Sequence, residues 1–164
     1  MGNSFSIKTK QIELSVIMSI YSRTQLKELQ RAINSLRDQI KLNFDLLIHL
    51  DGEVRPEVSD FLKGYKPNGA INKIVITKSC RCLGLAASMN ILILKNFSKY
   101  EFFARHDSDD YSSKERLFIQ LNFLKENKFV DIVGSGYASF DSKSFELGSK
   151  SFFPEKNESI KKAF

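Results

Sequence analysis

Three carboxylates, Asp107, Asp109 and Asp110, fall within four positions at the end of the stretch Tyr-Glu-Phe-Phe-Ala-Arg-His-Asp-Ser-Asp-Asp, Tyr100 to Asp110. Burying three like charges together is costly unless a cation neutralises them, so such a cluster belongs at an open strand end facing a cleft. Asp107 and Asp109 alternate, and two alternating carboxylates can aim oxygens at one hard divalent ion whose shell is completed by water and substrate phosphate. The same residues also fit a solvated acidic turn in which Asp107 or Ser112 caps a following helix.

The elements around the cluster must decide between these readings. Tyr100 to His106 is apolar and aromatic enough for a buried strand that carries the acidic residues at its mouth. Leu14 to Ile20 and Phe44 to Leu50 read as central strands buried on both faces, and Asn72 to Thr77 as a short β-branched one. Between them the apolar spacing Leu26, Leu29, Ile33, Leu36 and Ile40 predicts a helix opening at Thr24. Pro56 to Tyr65 and Leu83 to Leu94 predict two more. Lys114 to Glu126 fits a helix with Leu117, Phe118, Leu121 and Leu124 on its buried side, and Asp131 to Gly134 is expected to open one further strand.

Strands alternating with helices at these spacings predict an α/β fold, a mostly parallel sheet with helices on both faces. Ligands of such sheets bind at the carboxyl ends of the strands. Tyr21, Asp51 and the Asp107 cluster all fall there, so they should meet around one crevice. A ring at Tyr21 could stack on a base, Asp51 could accept a ring N–H such as the imide of uracil, and the cluster could hold a metal on a diphosphate. Singly, Tyr21 equally fits a packed ring and Asp51 the turn Asp51-Gly52. Together they favour a nucleotide diphosphate site.

At 164 residues, 42% of them hydrophobic, the chain suits one domain, 1–164, with residues 1–12 as a flexible start. The apolar runs are too short and too broken for a membrane span or a signal peptide, which predicts a cytoplasmic protein. Cys80 and Cys82 are too close to bridge easily and lack partners for a zinc site, so they are expected as free thiols. The net charge of +6 suits anionic partners, but the lysines are dispersed. Without a basic stripe, nucleic acid is not an expected partner.

Ser15 to Tyr21, then Leu50-Asp51-Gly52, then Leu83-Gly84-Leu85-Ala86-Ala87-Ser88-Met89-Asn90, then Ala104 to Asp110 with Arg116-Leu117 and Gln120 following, resemble the inverting glycosyltransferases of family 2, of GT-A fold. Asp131-Ile132-Val133-Gly134-Ser135 resembles the strand that follows in bacterial members, and the likeness runs from Leu14 to Ile160. The resemblance implies that Tyr21 and Asp51 sit on the nucleobase and that Gly84 to Asn90 run along the donor floor. Asp107 would contact the ribose or the metal, Asp109 would be the main ligand of Mn2+ or Mg2+, and Asp110 would support the same site. Arg105 and Arg116 fit phosphate partners or stabilising pairs. Cys82 stands where the family often has Asn, and Ser19 where a Pro is common.

An inverting transferase also needs a base to take the acceptor proton. In this family it is an Asp or Glu beyond the donor half, and no residue here matches that segment; Asp141, Glu146 and Glu155 are carboxylates in its general direction. The chain thus reads as truncated before the acceptor half, with Phe140, Phe152, Phe153 and Phe164 as apolar surface through which it would self-associate. The implied activity is transfer of a sugar from a nucleotide-sugar, a UDP-sugar above all, to a polysaccharide or lipid-linked glycan, at the inner face of the membrane. A nucleotide-sugar-binding or assembly module without turnover is the alternative. A haloacid dehalogenase-type phosphohydrolase fits poorly, because Tyr111 follows the carboxylates where a Thr or Val two places on is expected.

Overall fold

The computed structural model describes residues 13–141 and 147–152. Contacts within the chain group into two compact units, Met1–Ile119 and Gln120–Phe164. In the first, β1 (Leu14–Ile20), β2 (Phe44–Leu50), β3 (Ile71–Lys78) and β4 (Phe102–Arg105) form a sheet of order β3-β2-β1-β4, every pairing parallel. The helices are α1 (Leu26–Arg37), α2 (Pro56–Gly64), α3 (Leu85–Asn96) and α4 (Arg116–Glu126).

The order of the strands explains the layers. From β1 the chain steps outward to β2 and β3, then crosses back to lay β4 on the other side of β1. Right-handed crossovers therefore place α1 and α2 over one face and α3 over the other. Side-chain alternation agrees: Ile17 lies opposite Leu47 in the ladder, and both pack with Met89 and Leu92 of α3. Val16, Met18, Ile20, Leu46 and Ile48 point the other way and are fully buried too. Each such side chain contributes about 1.5–3 kcal/mol on leaving water, so the two central strands anchor the fold.

Three expectations are corrected. The apolar spacing carries α1 only to Arg37: Asp38 pairs with the Arg37 guanidinium at 2.8 Å, and Lys41 has φ 67 where the chain turns away. Ile40 thus leaves the buried face and is 39% exposed. β4 is shorter than Tyr100 to His106 and only half-buried, because it lies at the edge of the sheet with β1 as its partner. Asp131 to Gly134 forms no strand; Ile132 is 87% exposed, and β-propensity finds no ladder to join there among the described residues.

Tyr100 itself stays buried outside the strand. Its hydroxyl donates to Asp45 Oδ2 at 2.6 Å, which Lys73 Nζ also reaches at 3.1 Å. In the second unit, β5 (Tyr137–Phe140) and β6 (Leu147–Ser151) pair antiparallel. Phe152 is exposed and Phe140 half-buried, while Phe153, Phe164, Glu146, Glu155 and residues 1–12 lie outside the described residues. Among the described residues no helix is long and apolar enough to cross a membrane.

Candidate functional site

Strand order reverses between β1 and β4, and the chain leaving each strand there carries a candidate residue. After β1, Tyr21 opens a turn in which Thr24 Oγ1 accepts the Tyr21 N–H at 3.2 Å and Tyr21 O accepts the Thr24 N–H at 3.0 Å. The Thr24 hydroxyl then meets Ser108 Oγ at 3.4 Å, inside the acidic loop after β4. Thr24 and Ser108 are both buried, so this contact ties the Tyr21 turn to the Asp107 loop. Tyr21 is 44% exposed as a residue and so is not packed in the core.

On the other side of β1, the Asp51 N–H donates to Ile20 O at 2.8 Å and extends the parallel ladder to the carboxyl end of β2. The Asp51 carboxylate is buried, and the loop after β3 closes over it. Leu83 N–H donates to Oδ1 at 2.7 Å, Gly84 N–H to Oδ2 at 2.9 Å, and the Cys82 thiol lies 3.3 Å from Oδ2. Ser79 Oγ is 3.4 Å from Oδ1, but it has one proton and a nearer acceptor, Arg81 O at 2.8 Å. Burial pushes the Asp51 carboxyl up, yet the Leu83 N–H, the Cys82 thiol and the Gly84 N–H outweigh it and hold its pKa below the usual carboxylate range.

Two glycines make this closure possible. Gly52 has φ +79, and a Cβ there would stand 2.9 Å from the Cys82 backbone nitrogen. Gly84 begins α3 with φ +89, a conformation that costs a side-chain-bearing residue about 1 kcal/mol or more. Gly84 has no side chain to cap that helix start, which follows β3 and so lies at the carboxyl ends of the strands.

In the acidic loop, Asp110 N–H donates to Asp107 O at 3.2 Å and closes a turn in which Asp107 and Asp109 are near enough to repel the Asp110 carboxylate. Asp107 is half-buried and gripped by Arg105, Nε to Oδ1 at 2.9 Å and Nη2 to Oδ2 at 2.7 Å. Asp109 is exposed, with no side-chain partner among the described residues. Burial of the Asp110 carboxyl, then repulsion from Asp107 and Asp109, raise its pKa against the pull of Arg116 and Arg105. Since Asp110 is exposed as a residue, the repulsion carries the greater weight, and it is what a bound cation would relieve. The hard oxygen donors and their mutual repulsion fit a divalent ion completed by outside ligands. By themselves, His, Cys, Asp and Glu side chains form no ready group of three or more that could hold a metal among the described residues.

Behind the loop, His106 is buried. Burial and then Arg116 push its pKa down to about 4, which keeps it neutral, with Nδ1 3.4 Å from Ser112 Oγ. Neither Asp107 nor Ser112 caps α4. The Asp107 side chain is taken by Arg105, and the Ser112 hydroxyl lies against His106 Nδ1 at 3.4 Å while its N–H goes to Ser35 Oγ at 3.1 Å. The capping acceptor comes from far away in sequence: Gln39 Oε1 accepts the Leu117 N–H at 3.1 Å while its amide donates to Ser113 O at 2.7 Å.

The structure therefore gathers Tyr21, Asp51, Gly84, Asp107, Asp109 and Asp110 along the adjacent ends of β2, β1 and β4. Asn90 lies further along α3. It stands on the exposed side of α3, about 9 Å along the axis from Gly84. Thr24, Ser108, Ser79 and Gln39, which hold the site together, were missed in the sequence. Small hydroxyl residues and one glutamine carry no distinguishing pattern. An open cavity of about 530 Å³ beside Phe61 and Tyr65 lies at the end of α2, where the amino ends of the strands are.

A parallel sheet with helices on both faces and an acidic loop at its switch point is a Rossmann-like arrangement, consistent with a GT-A fold. The chain belongs to glycosyl transferase family 2, whose model matches residues 15–163. It is 29% identical over 153 residues to an uncharacterized glycosyltransferase of Methanocaldococcus jannaschii, covering 92% of this chain and 50% of that one. It is 25% identical over 149 residues to the UDP-Gal:alpha-D-GlcNAc-diphosphoundecaprenol beta-1,3-galactosyltransferase of Escherichia coli, covering 91% and 52%. The chain spans about half the length of these curated relatives. Among solved structures, S. aureus TarS in complex with UDP-GlcNAc superposes with a TM-score of 0.59 at 22% identity, over 71% of this chain and 32% of that one, a likeness of fold.

Proposed function

We propose that this chain binds the donor of a glycosyltransferase that moves a sugar, with inversion, from a nucleotide-sugar to a polysaccharide or lipid-linked glycan. The observation that carries the reading is the hydrogen-bonded convergence of the Tyr21 turn, Asp51 and the Asp107 loop on neighbouring strand ends. Family membership favours a sugar donor, and the E. coli relative, named as a UDP-Gal transferase acting on a diphosphoundecaprenol acceptor, favours a UDP-sugar and a lipid-linked glycan.

In this reading Tyr21 stacks on the base and Asp51 accepts a ring N–H. The Leu83 and Gly84 bonds are short and stay, whereas the Cys82 thiol is an intrinsically weak donor and is the one a ring N–H would replace. The free N–H groups at the start of α3 face anionic oxygen. Asp107 and Asp109 would hold Mn2+ or Mg2+, supported by Asp110, and the ion would supply Lewis-acid stabilisation of the leaving diphosphate. Asn90 lies along the same helix, further from the base.

Calorimetric titration of UDP and UDP-sugars, with Mn2+ and with chelator, tests the reading on wild type and Asp109→Ala. Metal-dependent binding that falls at least about tenfold in the variant is expected. Equal binding by both proteins, or none by either, would sink it.

A further inference from the structure

Arg105 and Asp107 meet fork to fork, with both carboxylate oxygens covered at 2.9 and 2.7 Å. This bidentate geometry is the strongest an arginine makes with a carboxylate. Its position is unusual in one respect: the covered oxygens are the ones that the proposed site would offer to a divalent ion. The pair is also open to water, its side chains 55% and 36% exposed, so solvent screens it and exchange of partners is inexpensive.

Charge around the loop points the same way. Asp107, Asp109 and Asp110 carry three negative charges, and Arg105 and Arg116 return two positive ones. Arg116 is held in place, its Nη2 donating to Arg105 O at 3.3 Å. Among the described residues the Arg105 guanidinium has no hydrogen-bond anchor beyond Asp107, with Asp110 adding only a longer-range attraction. A loop left with one net negative charge attracts a free divalent ion weakly. A nucleoside diphosphate supplies further negative charge and a matching acceptor for the guanidinium fork.

We propose that Arg105 covers Asp107 in the donor-free protein and passes to the diphosphate of an incoming nucleotide-sugar, uncovering Asp107 as the cation arrives with the donor. Arg105 is then both a donor-phosphate ligand and the residue that makes cation binding depend on nucleotide. This inference rests on the nucleotide-diphosphate reading of the site.

The test measures Mn2+ binding by electron paramagnetic resonance without nucleotide, and UDP binding by calorimetry at saturating Mn2+, on wild type, Arg105→Gln and Arg105→Lys. Arg105→Gln is expected to bind Mn2+ about tenfold more tightly than wild type without nucleotide, and UDP about tenfold more weakly at saturating Mn2+. Arg105→Lys, which keeps the charge and loses the fork, should fall between. Opposite signs are the signature, because a merely structural pair would weaken both measurements together or leave both unchanged, and either result overturns the proposal. Absence of UDP binding by every protein, wild type with Mn2+ included, would instead overturn the site reading and this inference with it.

Discussion

Gly84 donates its backbone N–H to the Asp51 carboxylate at 2.9 Å, and that bond joins the carboxyl end of β2 to the first turn of α3. The neighbouring Leu83 N–H, at 2.7 Å, completes the clamp. One buried acid thereby shapes the loop between β3 and α3 and keeps an anionic acceptor at the strand ends where the base is proposed to lie.

Asp51→Asn should cost about 2–4 kcal/mol in denaturant unfolding, since its amide presents a donor to one of two N–H groups that need acceptors. UDP binding should weaken at least about tenfold. The carboxyl is held below its usual range. The stabilisation is therefore present above the unfolded pKa of about 3.9 and is lost as pH falls through the folded value. Circular dichroism during acid titration should show a shallower loss of stability in the variant than in wild type.

Tyr100→Phe separates stability from binding. The phenol gives Asp45 Oδ2 a 2.6 Å bond, and Asp45 Oδ1 is buried without a partner, so the variant leaves only Lys73 beside a buried carboxylate. A loss of about 2–3 kcal/mol is expected. Asp45 lies near the amino end of β2, so UDP affinity should stay within about twofold of wild type.

His49 makes the sheet acid-sensitive in a second way. It is buried, with Nδ1 2.8 Å from Thr77 Oγ1 and Nε2 without a hydrogen-bond partner among the described residues. Burial first, then Lys95, lower its pKa, against the pull of Asp51. The unfolded chain therefore takes up a proton that the folded one refuses, and stability falls as pH drops below about 6.5. His49→Phe should flatten the stability profile between about pH 7 and about pH 5; an unchanged slope would remove His49 as its source.

Much of this architecture was legible because β1 and β2 are unbroken apolar runs buried on both faces, and their limits in the structure are those the sequence suggested. Positions just past those strands, Tyr21 and Asp51, followed from strand–helix alternation alone. The reading failed where local pattern and tertiary partner disagreed: Ile40 has helical spacing but follows the turn out of α1, and Ile132-Val133 has strand propensity without a ladder among the described residues. The supports of the site were invisible for a different reason. Gln39 reaches Leu117 across 78 positions and Thr24 reaches Ser108 across 84, and no local spacing encodes either contact.

The central claim is that one nucleotide site spans the ends of β2, β1 and β4, and backbone amide NMR during titration with UDP and Mg2+ tests it most directly. The largest shifts should fall together on Tyr21 to Thr24, Asp51-Gly52, Ser79 to Gly84 and His106 to Asp110. Shifts centred instead on Phe61 and Tyr65 at the end of α2, or confined to a single one of those strand ends, would contradict it.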